Sequence, residues 1–217
     1  MNAFIKLTAT LATAVALMST ATVQAEFTLA GLSAEEQGLA IAQERKTRDI
    51  GWGDSASAVT MTLRNAQGEE SIREMRMKSF EVSDDGDKGL TIFDKPKDVK
   101  GTAFLSYSHV VGADDQWLFL PSIKRTKRIS SSNKSGPFVG SEFAYEDLSS
   151  VELEKNTYKF LKEEGDLLYV EQDPVDPKSG YKKRIAVYNQ AKDYRLETIE
   201  FYDRKGSLLK TLTYTEY

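Results

Sequence analysis

Alternation of apolar and polar side chains is the dominant pattern of the chain after Ser55. Val59, Met61 and Leu63, for example, are separated by polar residues, which is the period of a half-buried β-strand. Turn-forming residues interrupt the apolar runs at short intervals, as at residues 65–68 and 84–87. Strands are predicted near residues 59–64, 72–82, 90–93, 102–111, 116–120, 158–161, 167–172, 181–188, 195–202 and 208–214. Short strands and tight turns in this order predict one antiparallel sheet in meander order.

One helix is predicted before the strands begin. Ser33 and Glu36 form a capping-box pattern. Helix-forming residues then run from Ala34 to Arg48, and Gly51 and Gly53 end the pattern. The predicted fold class is therefore α+β, mainly β.

The first 25 residues have the pattern of a secretory signal peptide. Lys6 precedes an apolar run from Leu7 to Met18, and a small-x-small motif ends at Ala25. The apolar run is shorter than the ~20 residues that a bilayer-spanning helix requires, so cleavage is favoured over a membrane anchor. The predicted organisation is a signal peptide at 1–25 and a single domain at 26–217, secreted in soluble form.

Composition removes several classes of function. The chain has no cysteine, which excludes disulfides and thiolate metal sites. Its net charge of −4 argues against general nucleic-acid binding. His109 is the one histidine and lies in mid-strand, where a structural role is expected, and the acidic turn at 84–87 lacks the ligand spacing of a calcium loop. No catalytic residue, metal ligand or cofactor is predicted.

Soft apolar side chains on the strands are the candidate cargo-binding surface. Methionine adapts to irregular cargo because its side chain is flexible and polarizable. The alternative is that these residues form an ordinary core against the helix, and periodicity does not separate the two readings. The candidate cavity residues are Val59, Met61, Leu63, Met75, Met77, Leu105, Tyr107, Trp117 and Phe119.

Residues 121–148 differ from the rest of the chain. No acid occurs from Gln116 until Glu142, and serines, glycines and a proline predict a long loop. Its cations are candidates for contact with anionic head groups or with a membrane-protein partner, and a solvated loop is the alternative. These candidate contact residues are Lys124, Arg125, Lys127 and Arg128.

A longer signature surrounds this basic segment. It consists of Gly101 to Tyr107, Asp115-Gln116-Trp117-Leu118-Phe119-Leu120-Pro121, Lys124-Arg125, Lys127-Arg128-Ile129, Gly136, Phe138, Gly140-Ser141, Phe143 and Tyr145-Glu146-Asp147-Leu148. The run resembles the LolA-like outer-membrane lipoprotein-sorting proteins. That resemblance implies a curved antiparallel half-barrel sheet with helices on its concave side. It also implies Trp117, Lys124, Arg125, Arg128 and Tyr145 as candidate contact residues.

With the resemblance added, the expected function is that of a periplasmic carrier. It would bind lipoprotein acyl chains or lipid in an apolar half-barrel cavity for delivery to the outer membrane. The implied partners are the acyl cargo, an inner-membrane transporter and, transiently, a membrane. The alternative is a non-enzymatic interaction module or an accessory subunit of an export complex, which would dock through the basic loop. Since the chain stops at Tyr217 within a strand-like stretch, a C-terminal truncation with an exposed sheet edge or open cavity is expected.

Overall fold

The computed structural model describes residues 28–216, so the predicted signal peptide lies outside the described residues. These residues form one α-helix and eleven β-strands: α1 Ala34–Arg48, β1 Asp54–Arg64, β2 Glu70–Phe80, β3 Lys88–Lys95, β4 Ala103–Tyr107, β5 Asp115–Leu120, β6 Arg125–Ile129, β7 Asn156–Glu164, β8 Leu167–Pro174, β9 Tyr181–Asn189, β10 Arg195–Asp203 and β11 Leu208–Thr213. Short 3₁₀ turns occur at Pro121–Ile123, Phe138–Gly140, Tyr145–Leu148, Leu153–Lys155 and Gln190–Lys192. The predicted α+β, mainly β class is confirmed.

The helix α1 has the predicted bounds. The Ser33 hydroxyl accepts a hydrogen bond from the Glu36 N–H at 3.2 Å, and the Ser33 N–H donates to the Glu36 carboxylate at 2.8 Å. Gly38 lies so close to β7 that an added Cβ would be 2.6 Å from the backbone nitrogen of Lys159. The helix therefore packs directly on the β7 backbone, with Ile41 and Ala42 buried.

The strands follow one another in meander order, as predicted, but they form two sheets instead of one. The first sheet has the order β1-β2-β3-β4-β5-β6 and the second β11-β10-β9-β8-β7. Within residues 28–216, no strand pairing joins β6 to β7 or β1 to β11, so the structure is open. The break falls where residues 130–155 form turns and 3₁₀ segments instead of a hairpin.

The basic run predicted as a loop contains a strand. β6 pairs with β5 in a register that runs from Gln116 opposite Ile129 to Leu120 opposite Arg125. On its other side β6 has no partner among the described strands. Four of its five residues are exposed, so it has none of the apolar alternation from which the other strands were predicted. The prediction of loop structure for these residues was wrong.

One face of the first sheet carries its core. Cross-strand partners share a face of a sheet, so the pairs Val59–Met75, Met75–Phe93 and Phe104–Leu118 define the apolar face. No α-helix of the described chain covers it. Residues 136–148, here called the cover segment, lie on it instead, and the buried Phe138 packs against Met75, Phe93, Phe104 and Leu118.

The cover segment is also attached to the second sheet. Asp147 accepts hydrogen bonds from the Tyr181 hydroxyl at 2.8 Å and from the Lys210 ammonium at 2.5 Å. Glu146 accepts from the Ser179 hydroxyl and the Gly180 N–H, both at 2.8 Å. The segment therefore bridges the break between the sheets.

We predict that Gly38→Ala destabilises the protein. In an ordinary helix interior this change stabilises by ~0.5–1 kcal/mol, but here the new Cβ would overlap the backbone of Lys159. A net loss of ~1–3 kcal/mol in the free energy of unfolding is expected, measured by urea denaturation. Gln43→Ala, at an exposed position of the same helix, is the control and should change stability by less than ~0.5 kcal/mol. A stabilised Gly38→Ala protein would contradict the docking of α1 on β7.

Candidate functional site

The nine candidate cavity residues lie on two opposite faces of the first sheet. The register pairs Val59 with Met75, Met61 with Arg73 and Ser57 with Met77, while Leu105 pairs with Trp117 on the other side. The apolar face therefore holds Val59, Met61, Leu63, Met75 and Met77, and the opposite face holds Leu105, Tyr107, Trp117 and Phe119. A single cavity cannot be lined by both groups.

Part of the methionine-bearing group is covered in this structure, whereas Leu63 and Met77 are half-buried and lie outside the covered cluster. Met75 is 3% exposed, and Val59 and Met61 pack against the same cluster as Phe138. Ring contacts fasten the cover segment, with the Phe138 centroid 5.3 Å from that of Phe104 and 5.8 Å from that of Tyr145. In this conformation the part of the apolar face around Met75 is a packed core filled by the protein's own side chains.

Tyr145 was predicted as a contact residue together with the basic residues of segment 124–128. In the structure it packs against the Phe138 cluster. Its ring packs on Phe104 and Phe138. Burial raises the pKa of its hydroxyl above the ordinary value. Its backbone carbonyl accepts a hydrogen bond from the Gln116 side chain at 2.9 Å. Tyr145 therefore helps to hold the cover segment on the sheet.

Arg73 is the polar exception on the apolar face. It lies beside Met61, and its guanidinium donates a short hydrogen bond to the carbonyl of Val139 in the cover segment. The group also lies over the ring of Phe93, 6.0 Å from its centroid. No carboxylate pairs with Arg73 among the described residues. Its contacts thus link the apolar face of the first sheet to the cover segment.

A cleft of about 510 Å³ opens at the break between the sheets. Its walls come from Gln116 on β5, Ile129 on β6, Asn156 on β7 and Arg184 on β9. Exposed valines form the apolar part of its mouth, since Val111, Val151 and Val175 are 83%, 57% and 55% accessible, and exposed Glu154 and Lys178 also line it. Ile129 also packs against the Phe138 cluster, so the cleft and the covered apolar face are contiguous.

Charged groups deeper in the cleft are largely neutralised by one another. Lys134 pairs with Asp176 at 2.6 Å, and Lys155 pairs with Asp114. Arg184 donates to the Asn156 side chain at 2.5 Å, while its Nε is buried without a hydrogen-bond partner. The cleft therefore combines exposed valines with charges that nearly balance, five carboxylates against four cationic side chains.

The predicted contact cations lie on the free edge strand and its hairpin turn. Arg128 pairs with Asp115 of β5. Lys124, Arg125 and Lys127 have no carboxylate partner within residues 28–216. On the opposite sheet face, Trp117 is the cross-strand neighbour of Arg128, and its ring meets that of Tyr107 edge-on at 5.5 Å. Lys88 lies over Tyr107, 4.9 Å from the ring centroid.

His109 is held between two carboxylates. Its Nδ1 is 2.7 Å from Asp85, and its Nε2 is 3.3 Å from Asp115. The contact with Asp85, and then that with Asp115, raises the pKa of His109, and the same contact lowers the pKa of Asp85 to about 2. With both nitrogens engaged, the ring is not available as a general base. The histidine fastens the β4–β5 connection to the acidic turn before β3.

Residues 28–216 contain no group of three or more His, Asp or Glu side chains that could hold a metal ion. The described helix is too short and too polar to cross a membrane.

Sequence reasoning missed Arg73 and the cleft. Arg73 carried one usable signal, a charged residue at an inward position of an alternating strand, two residues before Met75. The cleft carried none, since its walls are far apart in sequence and meet only through the arrangement of the two sheets.

Comparison with known proteins gives consistent results. A family model described as "Uncharacterized protein" matches residues 85–217. A solved structure named as an outer membrane lipoprotein-sorting protein domain, from Vibrio parahaemolyticus, is 61% identical, with 84% of this chain and 79% of that chain covered and a TM-score of 0.82. No curated protein matches the chain significantly.

Two more distant structures share the fold. A DUF1329 family protein from Desulfovibrio piger is 24% identical, covers 85% of this chain and 80% of its own, and gives a TM-score of 0.79. A LolA superfamily protein from Nitrosomonas europaea is 20% identical, covers 86% and 79%, and gives a TM-score of 0.62. At these identities the likeness shows the fold alone.

We predict that the His109 imidazole titrates above the ordinary histidine value of ~6.5. Because the folded pKa of His109 is raised, the stabilisation from this contact is complete below pH ~6.5 and is lost as pH rises through the folded value. Because the pKa of Asp85 is lowered, its contribution to the free energy of unfolding is complete above pH ~3.9. That contribution is lost as the pH falls toward 2. NMR titration of the imidazole resonances measures the first effect without ambiguity, since His109 is the one histidine of the chain.

Asp85→Asn and Asp84→Asn provide a matched pair of variants. Asp85→Asn removes the main partner and should lower the measured pKa of His109. Asp84→Asn removes the neighbouring carboxylate, which makes no hydrogen bond to the ring, and should leave that pKa nearly unchanged. An identical effect of both variants would contradict the specific contact.

Proposed function

Because the chain belongs to the family of LolA-like outer-membrane lipoprotein-sorting proteins, we propose that it is a periplasmic carrier of acylated cargo, either lipoprotein acyl chains or lipid. On this proposal an inner-membrane transporter supplies the cargo and the outer membrane receives it. The predicted signal peptide supports export from the cytoplasm. Carriage requires no chemical step, so no catalytic residue is assigned.

The observation that supports the proposal best is the contact between the cleft and the covered apolar face. Ile129 belongs to both, and Glu146 of the cover segment also lines the cleft. The cleft volume of about 510 Å³ lies within the ~300–1,000 Å³ typical of small-molecule sites. An acyl chain that enters between the exposed valines gains ~0.8 kcal/mol for each buried CH₂.

Displacement of the cover segment would enlarge the site. Phe138, Phe143 and Leu148 occupy the apolar face as an acyl chain would. Burial of one aromatic side chain of this kind is worth ~1.5–3 kcal/mol, so the closed state competes with cargo. That competition suits a carrier, because the returning segment helps to expel the chain and keeps affinity below the level at which release would fail.

Arg73 is the proposed latch of the closed state. Its hydrogen bond to Val139 exists only while the cover segment is in place. A hydrogen bond with a charged donor contributes ~1.5–3 kcal/mol. The free energy of this hydrogen bond therefore sets how much binding free energy the cargo must contribute before the cover segment moves. Arg73 itself does not contact the acyl chain in the closed state.

We predict that Arg73→Gln binds a fluorescent fatty acid about tenfold more tightly than the wild type, because the closed state loses its latch. The measurement is a fluorescence titration of the purified mature protein. Arg76→Gln is the matched control, since Arg76 lies on the same strand but faces the other side and pairs with Asp94. Equal effects of both variants, or weaker binding by Arg73→Gln with the fold intact, would contradict the latch.

We further predict that Val151→Asp weakens binding of the same fatty acid at least fivefold, because it places a charge at the apolar part of the cleft mouth. Ile50→Asp is the control, as Ile50 is 64% exposed, comparable with Val151, and does not line the cleft. Native mass spectrometry of protein purified from periplasm, with lipid extraction, tests for natural cargo. If neither added nor natural acyl ligands bind, the carrier proposal fails.

A further inference from the structure

The β5–β6 hairpin ends in an exposed apolar and basic tip that the carrier site does not use. Ile123 in its turn is 51% exposed and Phe119 on β5 is 37% exposed. Lys124, Arg125 and Lys127 follow directly and are exposed. The tip lies at the opposite end of β6 from Ile129, the residue that lines the cleft. These five residues are here called the hairpin tip.

The charges of the hairpin tip have no internal counterpart. Asp115 is neutralised by Arg128. The chain has no acid between Gln116 and Glu142, and none of the three tip cations has a carboxylate partner within residues 28–216. Since the whole chain has a net charge of −4, this concentration of positive charge is local. It would orient the molecule in the field of an anionic surface.

The arrangement of the cations favours a planar partner over a peptide in a groove. Alternate side chains of a strand point to opposite faces of its sheet, so Arg125 and Lys127 share one face of the hairpin and Phe119 lies on the other. A groove on either face would meet only part of the set. A plane that approaches the free edge of β6 at the tip meets the cations of one face together with the apolar side chain of the other.

We propose that the hairpin tip docks the protein edge-on to an anionic phospholipid surface. Ile123 and Phe119 enter the interfacial layer, and the three unpaired cations contact lipid phosphates. Aromatic and aliphatic side chains flanked by Lys and Arg are the combination that binds such interfaces. Each cation near the surface adds ~1 kcal/mol, or about fivefold in partition coefficient.

The test is co-flotation of the full mature protein with vesicles. The wild type should bind vesicles of phosphatidylethanolamine and phosphatidylglycerol, lose binding as salt is raised, and bind vesicles of phosphatidylcholine weakly. Lys124→Gln/Arg125→Gln/Lys127→Gln should lower the partition coefficient on the order of a hundredfold. Ile123→Ser should lower it several-fold, while Ile50→Ser should not.

A second triple variant provides the charge control. Lys78→Gln/Lys182→Gln/Lys205→Gln also removes three positive charges, but from exposed positions on β2, on β9 and in the β10–β11 turn. This variant should leave the partition coefficient within about twofold of the wild type. Equal loss in both triple variants, unchanged binding in the hairpin variant, or no binding of the wild type to anionic vesicles would overturn the proposal. In the last case the hairpin tip would have to serve a protein partner instead.

Vesicle docking and cargo binding are separable by experiment. Fatty-acid binding in the absence of vesicles reports on the cleft, and the hairpin triple variant should retain it. Circular dichroism and urea denaturation of each variant establish that the fold is intact. A variant that keeps its fold and its fatty-acid binding but loses vesicle binding separates the docking surface from the cargo site.

Discussion

The apolar face of the first sheet must be covered, and residues 28–216 provide no helix that covers it. A face with Met75, Phe93, Phe104 and Leu118 in water would be costly, since each such side chain gains ~1.5–3 kcal/mol on burial. The cover segment meets this need with one aromatic anchor, Phe138, and a few flanking rings. The backbone hydrogen bonds of the segment are local, within residues 133–147, so its attachment to the two sheets depends on side chains.

Those side-chain attachments reach both sheets. Gln116 and Arg73 bind the segment to the first sheet, and Asp147 binds it to Tyr181 and Lys210 of the second. Movement of the segment would therefore expose the apolar face and loosen the junction between the sheets together. The cleft lies at that junction. The cover segment, the junction between the sheets and the cleft are thus structurally linked, and the proposed cargo site involves all three.

Local sequence signals predicted the helix and the order of the strands, because caps, turns and alternation involve residues close in the chain. They could not show whether Met75 and Leu105 lie on the same face of the sheet, since alternation within one strand gives no register between strands. That register depends on pairing through β3 and on an irregularity beside Met75. The edge strand β6 escaped prediction because its side chains are charged on both faces, which removes the alternation.

The free edge of β6 links the two proposed activities. A bare edge strand ordinarily invites association, and lysine and arginine on it discourage pairing with another strand. That protective role does not account for exposed Ile123 and Phe119 beside the cations, since apolar side chains would promote the association that the charges prevent. An anionic surface resolves the conflict, because it binds cations and apolar groups at once. The same edge carries Ile129 into the cleft, so a protein held by its hairpin tip would present the break between its sheets along the line of contact with the membrane.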